Sequence, residues 1–267
     1  MTIYWGVLIS LMKDPEFIEQ LRSYNADLQV VVAFRMLPEV VWDMPRFGTF
    51  NVHAALLPQY RGAAPINWAV INGETKTGVT TFFLDHNIDT GRIIMQREFP
   101  IPDDADVEYV YDGLMELGAG ICQDTVDLVI STDGNVPSQP QCEDIELKAA
   151  PKIFKETCQI DWHKTAKQIY NFVRGLSPYP GTWTTLASNS ETEKVEASVM
   201  KIFKTAKTGT NCTSVAPGTL KTENSHLLVA TNDEWLDIIE LQASGKKRMA
   251  ARDFLNGFKH IAEMHMK

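Results

Sequence analysis

The chain has 267 residues, of which 44% are hydrophobic and 22% charged, and its formal net charge is −9. This composition is typical of a folded globular protein and excludes disordered, collagen-like and disulfide-scaffold classes. The length exceeds that of most single domains and favours two. Because no apolar run approaches the ~20 residues that a membrane-spanning helix needs, we expect no membrane partner and a cytoplasmic location.

The four cysteines are scattered, without the C-x-x-C spacing or the neighbouring histidines of a zinc site. They lie at Cys122, Cys142, Cys158 and Cys212. The sequence therefore predicts neither a metal site nor a disulfide framework.

The negative charge is concentrated in the first part of the chain. Residues 201–267 contain ten Lys and Arg against seven Asp and Glu, a net charge of +3, which leaves −12 for residues 1–200. Nucleic-acid phosphates are bound by clustered basic side chains. The total charge alone argues against a nucleic-acid partner, whereas the distribution keeps the C-terminal region compatible with one.

Alternating strand and helix patterns in the first half predict an α/β fold. Asp14 and Pro15 form a helix start, an N-cap acceptor followed by proline at the first helical position. The predicted elements are a strand over 3–12, a helix over 16–23, strands over 28–34 and 49–54, a helix over 65–73, strands over 78–84 and 93–99, and a helix over 107–128. The apolar, β-branched run at 28–34 is typical of a strand buried on both faces. This order indicates an open, mostly parallel, Rossmann-like sheet.

The second half has a different pattern, with short strands and frequent turn residues. The predicted elements are a helix over 165–174, a turn-rich segment over 177–183, strands over 199–203, 218–221, 226–230 and 236–241, and a helix over 250–258. Such a series predicts a small, OB-like β-barrel. A stretch rich in Pro, Gln, Asp and Glu with weak periodicity precedes it. We therefore expect an α/β domain over 1–132, a linker over 133–155 and the barrel-like domain over 156–267.

Two polar side chains stand out on an otherwise apolar strand. Asn51 and His53 flank Val52, and because side chains alternate along a strand, they point to the same face. Open α/β folds bind their ligands at the carboxyl ends of such strands. A histidine in this position is also often structural, so the pair alone leaves both interpretations open.

A polar loop at 85–91 supplies a possible partner for this pair. It contains Asp85, His86, Asn87 and Asp89 and ends in Thr-Gly. An Asn, a His and an Asp without an activated Ser or Cys suit attack of an external amine on a carbonyl. Asn51 then donates to the developing oxyanion, His53 handles the proton, and Asp89 supports the charged imidazole. The alternative for Asp89 is an ordinary turn residue.

These residues lie in segments with a specific family resemblance, which covers most of the chain. The segments are FNVHAALLPQYRGAAPINWAVINGETKTGVT (50–80), IDTG (88–91), APKIFKE (150–156), IDW (160–162), RGLSPYPGTW (174–183) and IIELQASGKKRMAARDFLNG (238–257). Together they closely resemble the 10-formyltetrahydrofolate-dependent formyltransferases. The resemblance implies that the catalytic residues of that family fall on Asn51, His53 and Asp89.

The resemblance also implies the substrates. It predicts transfer of a formyl group from 10-formyltetrahydrofolate to the amino group of methionyl initiator tRNA, without a metal and by a protein expected to be a monomer. The LLPxxRGxxP loop helps to shape the folate pocket of the family. In this chain the matching residues are Leu56, Leu57, Pro58, Arg61, Gly62 and Pro65.

A basic triplet in the region of positive charge is the candidate for RNA binding. Lys246, Lys247 and Arg248 follow Gly245, and phosphate contacts are possible there. A solvated turn is the alternative interpretation. The resemblance implies that a segment of this type binds tRNA in the C-terminal domain.

Three functions other than tRNA formylation remain open from the sequence. Two lie within the same fold, formylation of a sugar-nucleotide amine and hydrolysis of formyltetrahydrofolate, and the basic triplet weighs weakly against both. The third is an inactive, truncated remnant that binds RNA. It is motivated by the N-terminus, where the resemblance predicts two further βα units, roughly sixty residues at ~30 per unit, ahead of the position of residue 7. We interpret this difference as an incomplete gene model or a downstream start.

Two residues depart from the family pattern near the site. Ala55 stands where the family usually has Ser, which removes one possible hydrogen bond. Arg92 stands where it usually has Asp or Glu, and we expect its guanidinium to compete with His53 for Asp89.

Overall fold

The structure is a computed structural model that describes residues 11–32, 36–142, 144–188, 198–258 and 261–267. The chain forms two compact units that are interleaved along the sequence. The first comprises the described residues up to Pro65 together with Lys76–Pro100 and Asp112–Pro151, and the second comprises Ile66–Thr75, Ile101–Tyr111 and the described residues from Lys152 onward. The domain boundaries given by the sequence, at 132 and 155, stay a prediction.

The described residues contain helices and strands in the following order. The helices are α1 (Pro15–Ser23), α2 (Glu39–Trp42), α3 (Pro65–Ile71), α4 (Val107–Ser131), α5 (Ala166–Leu176) and α6 (Ala251–Gly257), with short 3-10 helices at Leu11–Lys13, Glu156–Cys158 and Ile261–Glu263. The strands are β1 (Gln29–Val32), β2 (Thr49–His53), β3 (Arg61–Gly62), β4 (Lys76–Phe83), β5 (Ile93–Pro100), β6 (Ala149–Ala150), β7 (Thr182–Ser188), β8 (Ser198–Asn211), β9 (Leu220–Glu223), β10 (His226–Ala230), β11 (Glu234–Ala243), β12 (Met249–Ala250) and β13 (Met264–Met266).

The sheet of the first unit has the order β1-β2-β4-β5 in the described part of the chain. β1 and β2 are parallel, with Val31 opposite Asn51, whereas β4 pairs antiparallel with both β2 and β5. The antiparallel β4–β5 pair follows from its short connection, because a parallel crossover needs a dozen residues or more. The predicted α/β class is confirmed, and its described sheet is mixed, with its parallel pairing at β1–β2.

The prediction of a strand buried on both faces at 28–34 is wrong for the residues that the structure describes. β1 alternates between half-buried and exposed positions, and the Val32 side chain is 63% exposed. β1 lies at the edge of the described sheet and pairs there with β2 on one side. A strand with one neighbour gains less cover from the sheet than a central strand does.

The second unit contains a nearly closed antiparallel barrel. Its strands follow the order β13-β7-β8-β11-β10-β9, with β12 beside β11. An antiparallel bridge between Thr219 and His265 joins the two ends, and the Met266 amide donates to the Gly218 carbonyl over 2.9 Å. The barrel-like fold predicted for this half is confirmed.

The barrel encloses a continuous apolar core, to which α5 contributes one face. Ile202 and Leu236 from the strands and Ile169 from α5 belong to the same buried cluster. Thr165 caps the helix through a capping box with Gln168. Helix and barrel therefore share one core.

Most predicted helices are confirmed with shifts of a few residues at their ends, and several strands were not predicted. Asp14 caps α1 as expected, and its carboxylate accepts from the Glu16 amide over 2.9 Å. Strands β3, β6, β7, β12 and β13 and helix α2 have no counterpart among the predictions. Of the strand predicted over 3–12, residues 3–10 lie outside the described chain, and residues 11 and 12 belong to a 3-10 helix.

Candidate active site

β2 carries the two polar residues that the sequence singles out. Asn51 and His53 are 4% and 6% exposed, and Val52 between them is half-buried. The amide oxygen of Asn51 is buried and has no hydrogen-bond partner among the described residues. A buried acceptor in this state is available to a ligand or a water molecule.

The imidazole of His53 is held on three sides. Nε2 lies 2.9 Å from the Tyr60 carbonyl oxygen, Nδ1 lies 3.9 Å from Asp89 Oδ2, and the Phe82 ring packs edge-on at 6.3 Å between centroids. Because a carbonyl only accepts hydrogen bonds, Nε2 carries the proton in the neutral ring. Nδ1 is therefore the basic nitrogen, and it faces the carboxylate of Asp89.

Asp89 projects from the loop between β4 and β5 and is largely buried, with 10% of its side chain exposed. Its Oδ2 accepts a hydrogen bond from the Gly62 amide over 2.9 Å. Its backbone has a positive φ of 56°, which is uncommon for a residue with a Cβ. The structure thus brings His53 and Asp89 together, and the backbone of the 59–64 loop fixes the carboxylate.

The loop after His53 contains the residues predicted to shape a folate pocket. Leu57 is buried against Phe82 and Ile93, Leu56 and Pro58 are half-buried, and Pro65 is the first residue of α3. Arg61 and Gly62 form β3, which pairs in parallel with β6. At Gly62, φ is +127° and an added Cβ would lie 2.5 Å from the Ala150 carbonyl oxygen, so only glycine fits this position.

A buried threonine fixes the start of the same loop. Thr80 Oγ1 donates to the Ala55 carbonyl over 2.6 Å and accepts from the Leu57 amide over 3.1 Å. Gln96 bridges Thr80 Oγ1 and the Leu57 carbonyl. Ala55 itself is fully buried, so its methyl group is part of the packed interior of this loop.

Residues 138–142 and 144–150, inside the predicted linker, contact the site, and none of them was a predicted site residue. Gln139 pairs with Ile93 through an antiparallel bridge, and the Tyr60 amide donates to the Lys148 carbonyl over 2.6 Å. The side-chain amide of Gln141 donates to the carbonyls of Asp89 and Gly91 and accepts from Arg61. Weak periodicity and turn-forming composition gave no local signal for these contacts.

The expectation that Arg92 competes for Asp89 is wrong. The guanidinium of Arg92 donates to Ser138, through Nε to Oγ over 3.0 Å and through Nη2 to the backbone carbonyl. Among the described residues, the basic ring that Asp89 faces is that of His53, with Nδ1 3.9 Å from Oδ2. The Arg92 guanidinium therefore anchors the 138–141 segment through Ser138.

The basic triplet lies in an exposed turn between β11 and β12. The Lys246 amide donates to the Ala243 carbonyl, and Lys246 and Lys247 are exposed. Arg248 is paired with Glu240, with its Nε 3.1 Å from Oε2, and stacks over the Phe203 ring. The two lysines are thus more accessible to a partner than Arg248 is.

Two features of the described residues concern metal binding and membranes. Among these residues, no group of three or more His, Cys, Asp or Glu side chains is arranged to hold a metal ion. No helix in the described ranges combines the length and the apolar character needed to cross a membrane. The four cysteines are free thiols.

Comparison with known proteins identifies the family of this chain. A family model described as formyl transferase matches residues 10–126, and one described as formyl transferase, C-terminal domain, matches residues 152–259. The chain belongs to the formyltransferase family. The family indicated by the sequence motifs is thereby confirmed.

Several curated formyltransferases are similar over most of the chain. A methionyl-tRNA formyltransferase from Parabacteroides distasonis is 56% identical over 257 residues, covering 94% of this chain and 77% of that protein. One from Bacteroides fragilis is 54% identical over 256 residues, covering 94% and 76%. The similarity thus extends through both units.

Solved structures share the fold at low sequence identity. HypX from Aquifex aeolicus, in complex with tetrahydrofolic acid, gives a TM-score of 0.61 at 21% identity and covers 95% of this formyltransferase, which spans 42% of HypX. An N-formyltransferase from Helicobacter canadensis, in complex with folinic acid and dTDP-3-aminofucose, gives 0.53 at 20% identity, covering 75% of this chain and 66% of that one. At these identities the two structures support the fold alone.

Proposed function

We propose that the chain transfers a formyl group from 10-formyltetrahydrofolate to the amino group of methionyl initiator tRNA. The observation that carries the choice of acceptor is the identity of 54–56% to methionyl-tRNA formyltransferases across 94% of the chain. The observation that supports the chemistry is the orientation of His53 between Tyr60 and Asp89. The cytoplasmic location and the monomeric state stay predictions from the sequence.

The site residues fit a carbonyl and an amine. The acceptor amine attacks the formyl carbon of the folate co-substrate, so that a new C–N bond forms and the carbonyl oxygen becomes an oxyanion. The C–N10 bond then breaks, and N10 takes up the proton that the amine has lost, passed on by His53. Asn51 offers both a donor and an acceptor, and its amide oxygen lacks a partner among the described residues. In the proposed reaction, its amide N–H donates to the developing oxyanion, and its oxygen accepts from the incoming amine.

His53 is oriented to receive the proton that the amine loses. Nε2–H is occupied by the Tyr60 carbonyl, so the proton arrives at Nδ1. The ring is then positively charged, and Asp89 Oδ2 faces the protonated Nδ1, 3.9 Å away. A carboxylate in this position stabilises the imidazolium and thereby assists proton transfer.

The remaining predicted residues are proposed to bind the two substrates. Leu56, Leu57, Pro58, Arg61, Gly62 and Pro65 are assigned to the folate pocket. Lys246, Lys247 and Arg248 are assigned to the phosphates of the tRNA, with the larger contribution from the two lysines, because Arg248 is paired with Glu240.

An assay that compares acceptors one at a time tests the proposal. Purified protein is incubated with 10-formyltetrahydrofolate and, in turn, methionyl initiator tRNA, an amino-sugar nucleotide or no acceptor, and formyl transfer and folate release are both measured. We expect formylation of the tRNA alone, at a rate lowered about 10²- to 10³-fold in the Asn51→Ala variant. Formylation of the sugar, or folate release without an acceptor, in the absence of tRNA formylation would establish one of the alternative activities. No turnover under any condition would contradict the proposal outright.

A further inference from the structure

The side chain of Gln141 uses all of its hydrogen-bonding capacity beside the candidate active site. Nε2 donates to the carbonyl oxygens of Asp89 and Gly91 over 2.8 and 2.9 Å. Oε1 accepts from Arg61 Nε and Nη2 over 3.1 and 2.8 Å. A primary amide has two N–H donors and two acceptor lone pairs, so each is matched here.

The donors of Gln141 act on a backbone that needs support. Asp89 has a φ of +56°, and a non-glycine residue keeps such a conformation only when its surroundings hold it there. The Asp89 side chain is held by the Gly62 amide, and its carbonyl is held by Gln141. These two hydrogen bonds hold both the side chain and the backbone of Asp89, whose carboxylate faces His53.

The position of Gln141 is set by backbone contacts that do not involve its side chain. Gln139 exchanges two backbone hydrogen bonds with Ile93, of 2.8 and 2.9 Å, and Ser138 is held by Arg92. On the other side, β6 pairs with β3. Replacing the Gln141 side chain therefore leaves the segment anchored, and a variant is expected to fold.

We infer that Gln141 is a positioning residue that holds the Asp89 carboxylate in its place facing His53. The inference rests on the proposed function for its catalytic consequence. Gln141 itself touches neither the imidazole nor the carboxylate in the structure; it acts through the Asp89 and Gly91 carbonyls. A small misplacement of a group that assists proton transfer lowers turnover without removing the group.

A double-mutant cycle with Asp89 tests this role. Gln141→Met removes the amide at similar length, and in the otherwise native protein we expect kcat to fall by about 10- to 100-fold, with the KM for methionyl-tRNA within about twofold. In the Asp89→Asn background, the same substitution is expected to change kcat by less than about twofold, because the carboxylate that it positions is already gone. Equal losses in both backgrounds would overturn the inference.

Two further variants separate the donors from the acceptor and from the segment. Gln141→Glu keeps an acceptor for Arg61 and loses the donors to the loop, so we expect it to lose kcat as Gln141→Met does. Native kcat in Gln141→Glu would assign the effect to Arg61 and contradict our inference. Gln139→Met is the matched control, since this exposed glutamine pairs with Ile93 through its backbone. Its kcat is expected to stay native.

Hydrogen exchange at Gly62 gives a readout that does not depend on activity. The Gly62 amide donates to Asp89 Oδ2, so release of the Asp89 backbone is expected to speed its exchange about tenfold in Gln141→Met and to leave it unchanged in Gln139→Met. Unchanged exchange in Gln141→Met would overturn the inference even if the native protein formylated no tRNA. Faster exchange in an inactive native protein would leave the positioning role standing and the proposed function rejected.

Discussion

The Gly62 amide donates to Asp89 Oδ2 over 2.9 Å, and the same oxygen is the one that faces His53 Nδ1. The hydrogen bond from Gly62 and the contact with the imidazole therefore meet at one atom, so rotation of the carboxylate weakens both. Gly62 in turn belongs to β3, whose pairing with β6 fixes the direction of its N–H. The position of the Asp89 carboxylate beside His53 thus depends on the pairing of two short strands, β3 and β6, of two residues each.

Replacing Asp89 with asparagine is expected to lower kcat by about 10²- to 10⁴-fold, the range typical of a general acid–base system. The asparagine side chain retains an oxygen for the Gly62 amide and lacks the charge that supports the imidazolium. Steady-state formylation kinetics measure the change. Asp85→Asn in the same loop is the matched control, because Asp85 accepts from Asn87 and Thr90 and does not contact His53 among the described interactions. A comparable loss in both variants would argue against the role of Asp89.

Asn51→Ala is expected to lower kcat by about 10²- to 10³-fold, the usual effect of losing one oxyanion donor. Asn51→Asp keeps the size and the acceptor, removes both N–H donors and places a negative charge beside the developing oxyanion, so its kcat is expected to be lower still. Single-turnover rates with saturating folate separate this effect from binding. A variant with native turnover would exclude Asn51 from the reaction.

Gly62→Ala is expected to reduce both stability and turnover. The new Cβ meets the Ala150 carbonyl at 2.5 Å, so the β3–β6 pair must shift, and the expected loss of unfolding free energy is about 2–3 kcal/mol. Gly209→Ala is the control for backbone strain alone, since Gly209 has a φ of +67° and no atom within 4 Å of its added Cβ; its expected cost is about 1 kcal/mol. Chemical denaturation of both variants tests the difference. Equal stabilities would show that the approach to Ala150 imposes no constraint.

Acid is expected to weaken the start of α5 through Asp233. Burial raises the pKa of this carboxyl, but hydrogen bonds from the Ala166 and Glu234 amides and the Thr231 hydroxyl outweigh it, and the pKa lies below its usual value. A lowered folded-state pKa means that the stabilisation is full above the unfolded pKa of about 3.9 and is lost as the pH falls through the folded value. Asp233→Ala is therefore expected to cost about 1 kcal/mol at pH 7 and progressively less below pH 4.

Thermal melts from pH 7 to pH 3 measure this difference. Asp233→Asn keeps an acceptor for the Ala166 amide and has no titrating charge, so the pH dependence should disappear in it while part of the stability remains. A gap between native and Asp233→Ala proteins that stays constant to pH 3 would contradict the assignment.

Loss of Lys246 and Lys247 is expected to weaken tRNA binding in a salt-dependent way. Each lysine that contacts a phosphate contributes about 0.7–0.9 to the slope of log K against log salt, so the double alanine variant should have a slope smaller by up to about 2. Filter binding of initiator tRNA at several salt concentrations measures the slope. Lys13→Ala removes an exposed lysine from the first unit and serves as the control. An unchanged slope in the double variant would place the RNA contacts elsewhere.

Local sequence patterns predicted much of the fold and part of the candidate site. The Asp14–Pro15 helix start and the alternation that puts Asn51 and His53 on one buried face are properties of a few neighbouring residues, and both are present in the structure. Gln141 lies 52 residues from Asp89 in sequence, and no periodicity connects the two. The same holds for the two-residue strands β3 and β6, which are too short for a hydrophobic pattern to indicate.

At β1, by contrast, a local pattern predicted a feature that the described structure does not have, burial on both faces of the strand. The run at 28–34 has the composition of a central strand, whereas the described part of the chain supplies it with one neighbour, β2. Val32 is accordingly 63% exposed at the edge of the described sheet. The number of neighbours is a property of the whole sheet, which a single window of sequence does not contain.

The bridge between Thr219 and His265 also constrains how the second unit can fold during synthesis. β7 finds its partner β8 soon after both are translated, but it meets β13 only once residues 264–266 have emerged, and the seam to Thr219 waits for the same strand. Translation adds about 5–20 residues per second, so for several seconds the nascent barrel exposes two unpaired strand edges. Unpaired strand edges are templates for pairing with another chain, so this interval is when the nascent barrel is most prone to associate with other chains.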